Sequence, residues 1–229
     1  VLLGVKDDDG VLQSPFPVIS AAEARGEIGR LDRWVIKAVL DWLHRDAKRL
    51  AGVEGYAVNL SGITLNEEPL ADYILEQLAT FGIPPEKIIF EVTETAGIDS
   101  LSVAQKLIHQ LREQGCRFSL DDFGVGHGSF AYLRNLPVDK IKIDGMFIKE
   151  LETHVQDHAV VSSINEIAHF MGHSTVAEFV ENDEILAILK RIGVDYAQGY
   201  ALHKPQPIDQ LDLGRLAPPD PQNVREDAA

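Results

Sequence analysis

The sequence predicts an α/β fold, a (β/α)8 TIM-like barrel, from three observations. Short β-branched and aromatic runs alternate with longer amphipathic stretches along the chain, the rhythm of parallel strands joined by helical crossovers. Several of the helical stretches close on glycine just before the next strand, at Gly82, Gly115, Gly172 and Gly193, as left-handed caps do. Every strand after the first carries a polar or charged residue in its C-terminal half, and in such barrels those ends converge on one face.

In chain order, VLLGV (1–5) reads as the first strand, followed by RLDRWVIKAVLDWL (30–43), whose spacing sets Leu31, Trp34, Val35, Ala38 and Trp42 on one helical stripe. YAVNLS (56–61) is the next strand, then a helix over 67–81, the strand IIFEVTE (88–94) and a helix over 100–114. RFSLDDF (117–123) and KIKID (140–144) are strands, followed by a helix over 155–171. The strand STVAEFV (174–180), a helix over 182–192 and the strand YAQGY (196–200) complete the series. Six strands after residue 55 and one at the start nearly fill an eight-stranded barrel, so the expectation is a barrel whose N-terminal part is missing from this chain. No glycine-rich dinucleotide fingerprint follows any strand, which disfavours an open doubly wound sheet. The polar, proline-rich APPDPQNVREDAA (217–229) reads as a linker or disordered tail.

Composition narrows the function. Of 229 residues, 45% are hydrophobic and 25% charged, ordinary values for a globular protein. No apolar run approaches the ~20 residues that span a bilayer. No secretory signal is visible, and the abrupt opening on VLLGV reads as the start of a trimmed piece. The single cysteine, Cys116, fits a reducing cytoplasm. Twenty-one basic against 36 acidic residues leave a net charge of −15. That repels polyanions, so nucleic-acid polymers are not expected partners. A phosphate-bearing ligand remains compatible if metal ions mediate the contact.

The strand ends supply Asn59, Glu91 and Glu94, Asp121 and Asp122, Lys142 and Asp144, Glu178 and Glu181, and Gln198. Buried charge is costly unless paired or coordinated, so its recurrence at equivalent strand positions calls for a shared partner. The set offers hard oxygen donors, which suit Mg2+ or Mn2+ better than zinc. Adjacent Asp121 and Asp122 could serve two neighbouring metals that clamp a phosphodiester. Lys142 would then orient the attacking water or neutralise charge developing on phosphorus. Each residue also has a plain structural alternative: Asn59 as a strand-end residue, the glutamates as local caps, Lys142 as a rim salt bridge, Asp144 as the cap of a following helix. Gly124, Gly126 and Gly128 could simply make a turn.

Six ordered motifs carry a resemblance to a known family. NLS (59–61), EVTE (91–94), DDFGVGHGS (121–129), LPVDKIKID (136–144), AEFVE (177–181) and AQGYALHKPQP (197–207) are similar to the motifs of the EAL family, domains that hydrolyse or bind cyclic di-GMP. The resemblance runs to about residue 212 and defines a barrel domain over 1–216. It implies metal ligation by Asn59, Glu91, Asp121, Asp122 and Glu178, with Mg2+ or Mn2+ in a two-metal site. Lys142 would hold the water, and Glu178 and Gln198 would complete the catalytic set. Asn59, Asp144, Glu181 and Gln198 would line the nucleotide. Glu94 would anchor a loop containing Gly124, Gly126 and Ser129 that couples metal binding to dimerisation, with helix 155–171 a further dimer surface.

The implied activity is opening of cyclic di-GMP to linear pGpG by a homodimer. In the parent protein an upstream sensory or GGDEF-type domain is expected, and location is cytoplasmic, including the cytoplasmic part of a membrane-attached protein. Two departures matter. Val1 stands immediately after the position of the glutamate that names the family, and Gly4 stands where the family usually carries an arginine that contacts the ligand. Losing that charge-assisted bond is worth roughly 1.5–3 kcal/mol. His127 and Gly128 are smaller departures in the loop. The alternative functional expectation is therefore a catalytically impaired cyclic di-GMP receptor, with a module lacking any nucleotide site a distant third.

Overall fold

Six of the seven expected strands pair into one parallel sheet in a computed structural model that describes residues 1–51, 53–93, 100–126 and 133–211. The strands are β3 (Tyr56–Asn59), β4 (Ile88–Thr93), β5 (Arg117–Phe123), β6 (Lys140–Ile143), β7 (Ser174–Ala177) and β8 (Tyr196–Ala197). They stand side by side in chain order, every neighbour parallel. Sequential order with helical crossovers is the arrangement of a (β/α)8 barrel, here an incomplete one.

The crossovers fall close to the periodicity reading. They include α2 (Ile28–His44), α4 (Leu70–Phe81), α5 (Leu101–Glu113), α6 (Val155–Phe170) and α7 (Asp183–Ile192), with a single turn α3 (Gly62–Leu65) after β3. Gly82 and Gly193 cap α4 and α7 in the left-handed conformation. Asn182 caps the start of α7, accepting the Ile185 N–H at 2.8 Å, a bond whose loss typically costs about 1 kcal/mol.

Period two divides each strand between two layers. Val58, Ile88 and Phe90 meet Ile36, Val39 and Leu40 of α2 and Ile74 and Leu78 of α4 around a void of about 10 Å³. Phe90 also stacks on Phe118 across the sheet, ring centroids 5.5 Å apart. The alternate positions Glu91, Ser119 and Asp121 face the other way, into the barrel interior. Burying each of these large apolar side chains contributes roughly 1.5–3 kcal/mol, which makes this layer the platform for the polar one.

Three expectations are corrected. VLLGV is not a barrel strand: only Val5–Lys6 (β1) is extended in a ladder, and it pairs antiparallel with Leu12–Gln13 (β2) outside the main sheet. The Val1 amino group nevertheless donates to the carbonyl of Ala57 in β3. A helix over Phe16–Ala24 (α1), with proline in its first turn, was not expected from the sequence; none of its residues is buried. The apolar stripe of α2 is also rotated. Trp42 is buried as expected, but Asp32, Ile36, Val39, Leu40 and Leu43 fill the rest of the inward face, whereas Trp34 is 61% exposed. The ladders end earlier than the sequence suggests, so Asp144 and Glu178 lie just beyond β6 and β7. Residues 212–229, and with them the expected domain boundary and tail, lie outside the described residues.

Candidate active site

The polar layer culminates at the C-terminal rim. Glu91 on β4, Asp121 on β5, Lys142 on β6 and Glu178 after β7 are all buried. The Lys142 ammonium donates to all three carboxylates, at 2.8 Å to Asp121 Oδ1, 2.7 Å to Glu178 Oε1 and 3.2 Å to Glu91 Oε1. Burial works against a charged ammonium, but these carboxylates outweigh it and hold Lys142 above the usual lysine range. One cation does not neutralise three carboxylates. Glu178 is pushed up to about 7, chiefly by its burial and then by the neighbouring Asp121 and Asp122, although it is bonded to Lys142.

Consecutive residues on a flat strand point to opposite faces, so two adjacent aspartates would not share a site. The chain solves this with an irregularity: the β5–β6 register shifts between Leu120 and Phe123, and Asp122 takes a left-handed backbone with φ of 54°. Such bulges re-aim side chains beside active sites. As a result, oxygens of Asp121, Asp122 and Glu178 lie within 4.8 Å of one another. Asp122 is pushed up to about 6 by burial, by Asp121 and by Asp144. Crowded, partly desolvated carboxylates of this kind fit a divalent cation, which would relieve their repulsion with hard oxygen donors.

Among the described residues, Asp122 and Phe179 (φ 51°) are the only non-glycine residues with positive φ. Each directly follows a cluster carboxylate, and each costs about 1–3 kcal/mol in strain that the surrounding fold must support.

The other expected residues occupy the rim with less enclosure. Asn59 stands opposite Glu91 in the β3–β4 register and is exposed. Asp144 is half-buried beside Asp122, and its Oδ1 accepts the Met146 N–H at 2.7 Å, so it also caps the turn after β6. Glu181 and Gln198 are exposed. The Gln198 backbone ties the rim together: its N–H donates to Ala177 at 2.8 Å and its carbonyl accepts from Val180 at 3.0 Å. Gly124 has φ of 104°, and a Cβ there would lie 2.7 Å from the Phe147 ring, so the turn after the aspartates requires glycine. Gly126 is half-buried in the following bend. Glu94, His127, Gly128 and Ser129 lie outside the described residues.

Sequence reading missed Asp32. From the buried face of α2 its Oδ2 accepts the Ser61 N–H at 3.0 Å and the Thr64 hydroxyl at 2.5 Å. It thereby anchors the turn that follows Asn59. The signal was a carboxylate at a helical position spaced with Ile36, Val39 and Leu43.

A succession of parallel strands with a carboxylate cluster around a buried lysine at their C-terminal ends defines a TIM-like barrel domain with an acidic rim site. The chain belongs to the EAL domain family, which it matches over residues 1–205. It is 42% identical over 208 residues to the cyclic di-GMP phosphodiesterase PdeB of Shewanella oneidensis, covering 91% of this chain and 24% of that protein. It is 35% identical over 213 residues to the cyclic di-GMP phosphodiesterase PdeF of Escherichia coli, covering 93% and 28%. The chain thus spans about a quarter of the length of these curated relatives. Among solved structures, the MucR phosphodiesterase in complex with c-di-GMP superposes with a TM-score of 0.84 at 31% identity, covering 92% of this chain and 85% of that one. The FimX EAL domain from Pseudomonas aeruginosa bound to c-di-GMP gives 0.81 at 28% identity, covering 90% and 82%. Among the described residues, no helix is long and apolar enough to cross a membrane.

Proposed function

We propose that this domain is a metal-dependent phosphodiesterase that opens one phosphodiester of cyclic di-GMP to give linear pGpG. The observation that carries the reading is the buried Lys142 ammonium in contact with Glu91, Asp121 and Glu178, beside the crowded oxygens of Asp121, Asp122 and Glu178. Asp121, Asp122 and Glu178, with Asn59 and Glu91 at the same rim, are the residues to hold Mg2+ or Mn2+. Bound there, such ions supply Lewis acidity toward the phosphoryl oxygens and a more acidic water.

The chain's own residues supply the rest. Lys142 is held above the ordinary lysine value against the effect of its burial by its carboxylate neighbours Glu91, Asp121 and Glu178, which favours the charged ammonium. It acts as a positive charge and hydrogen-bond donor, orienting the attacking water or countering charge on phosphorus. Burial of the cluster strengthens each of these contacts relative to water. Asp144, Glu181, Gln198 and Asn59, at or just beyond the strand ends, are the residues proposed to read the nucleotide. Homodimerisation through the loop after β5, an upstream regulatory domain and a cytoplasmic setting belong to the same proposal.

A second reading is supported by Gly4, an exposed residue with no cationic side chain where relatives of this family usually carry an arginine. In that reading the domain binds cyclic di-GMP without cleaving it. One experiment separates the two: the protein is incubated with cyclic di-GMP and Mn2+, products are resolved by chromatography and uptake is followed by calorimetry. Linear pGpG is the expected product. Uptake without cleavage would establish the receptor reading, and neither uptake nor cleavage would overturn both.

A further inference from the structure

We propose that Phe179, clipped against Gly145, is a positioning residue that holds Glu178 in the cation site. The inference rests on the reading of the rim as a cation site and concerns residues to which no role is otherwise assigned. Phe179 keeps a left-handed backbone although it is not glycine and although its side chain is 49% exposed. Burial of the ring alone does not hold it there; a specific contact does.

That contact is Gly145, buried in the turn after β6. A Cβ on Gly145 would lie 2.2 Å from Phe179 Cδ2, 2.7 Å from Cγ and 2.9 Å from Cβ. Rotation about χ1 can carry Cδ2 and Cγ away, but Cβ is fixed by the backbone and its 2.9 Å contact remains. The backbone of Phe179 or of Gly145 itself would have to shift. Lys149 closes the other side, its ammonium 4.2 Å from the ring centroid, a favourable cation–π distance. Lys149 belongs to the same turn, since its N–H donates to the Gly145 carbonyl at 3.0 Å.

The backbone on either side of Phe179 is pinned to neighbouring strands. The Glu178 N–H donates to Ile143 at 3.2 Å, and the Val180 N–H donates to Gln198 at 3.0 Å. With both flanks tied, displacement of Phe179 passes to Glu178, whose carboxylate sits 2.7 Å from Lys142 and beside Asp121 and Asp122. Gly145 is thus needed for what it lacks, and Phe179 for the space it fills.

The test is calorimetric titration of Mn2+ into the full chain as parent, Gly145→Ala, Phe179→Gly and the double variant, with melting temperatures measured in chelator. Supporting groups behind metal ligands typically govern 10–100-fold in metal affinity, so Gly145→Ala should weaken Mn2+ binding by about that factor. Phe179→Gly alone should also weaken it. Adding Phe179→Gly to Gly145→Ala should recover affinity to the level of Phe179→Gly, a non-additive result that marks direct coupling. Parental Mn2+ affinity in Gly145→Ala, or simple additivity in the double variant, would overturn the proposal. Should Gly145→Ala fail to fold, the double variant decides: folding with the affinity of Phe179→Gly supports the clip, and failure to fold refutes it. Mn2+ uptake by the parent without cleavage of cyclic di-GMP would defeat the phosphodiesterase reading alone, whereas no uptake by the parent would defeat both.

Discussion

Replacing Lys142 by methionine removes the cation that, among the described residues, bridges Glu91, Asp121 and Glu178, while keeping an unbranched apolar stem of similar reach. Breaking a buried ion pair by deleting one partner costs about 3–5 kcal/mol, because the charge left behind is uncompensated. Here three buried carboxylates are left, so the upper part of that range applies in metal-free protein. For a chain of this size each kcal/mol shifts the melting temperature by about 2–4 °C, so about 4–5 kcal/mol gives an expected fall of roughly 8–20 °C at pH 8 in chelator. The pH dependence follows from the carboxylates. Glu178 and Asp122 are raised to about 7 and about 6, above ordinary carboxylate values, so between those values and pH 4 the folded state binds more protons than the unfolded state. Both proteins therefore gain stability as pH falls through 7 toward 5; Lys142 lowers both carboxyls, so without it they bind protons more readily still, the variant gains more, and its deficit against the parent narrows. Thermal denaturation followed by circular dichroism at pH 8 and pH 5 measures both quantities. A fall below about 2 °C at pH 8, or a deficit that widens in acid, would show that Lys142 does not compensate the cluster.

Other expectations concern the same rim and its supports. Saturating Mg2+ or Mn2+ should raise the melting temperature of the parent at pH 7.5 and lose this effect near pH 5, as protons replace the cation on Asp122 and Glu178; an equal shift at both values would contradict cation binding there. Asp121→Ala or Glu91→Ala should abolish cleavage of cyclic di-GMP, and turnover surviving either change would remove that residue from the site. Asp32→Ala should cost about 1–3 kcal/mol in urea denaturation, since the Ser61 N–H and the Thr64 hydroxyl lose their acceptor. Cys116 is buried, its thiol pushed up to about 12 by burial and then by Glu86, so aromatic disulfide reagents should label it only after unfolding; prompt labelling of the native chain would contradict the packing.

What the sequence made legible was mostly periodic. Helices α4 to α7 emerge from 3.6-residue spacing ended by glycine, and β3 to β8 from apolar runs that stop on polar residues. The convergence of Glu91, Asp121, Lys142 and Glu178 followed because parallel strands end on one face. Tertiary context hid the rest. On α2, Trp34 promised a buried anchor, but the layer is filled by Ile36, Val39 and Leu40, and the ring turns outward. VLLGV has strand composition, yet its extended part pairs with Leu12–Gln13 and not with the main sheet. Adjacent aspartates could not be assigned to one side of the sheet without the register shift between β5 and β6. The fit of Phe179 to Gly145 joins residues far apart in the chain, and no local pattern announces it.

The irregularity in β5 has a further consequence for how the domain tolerates change. A single codon deleted at Asp121 or Asp122 would remove the extra residue from the ladder, yet it would leave one carboxylate where the cluster needs two. Such a protein would melt like its parent and bind cations poorly. In this segment folding competence and chemical competence are separable, so a screen for solubility alone would pass the inactive version.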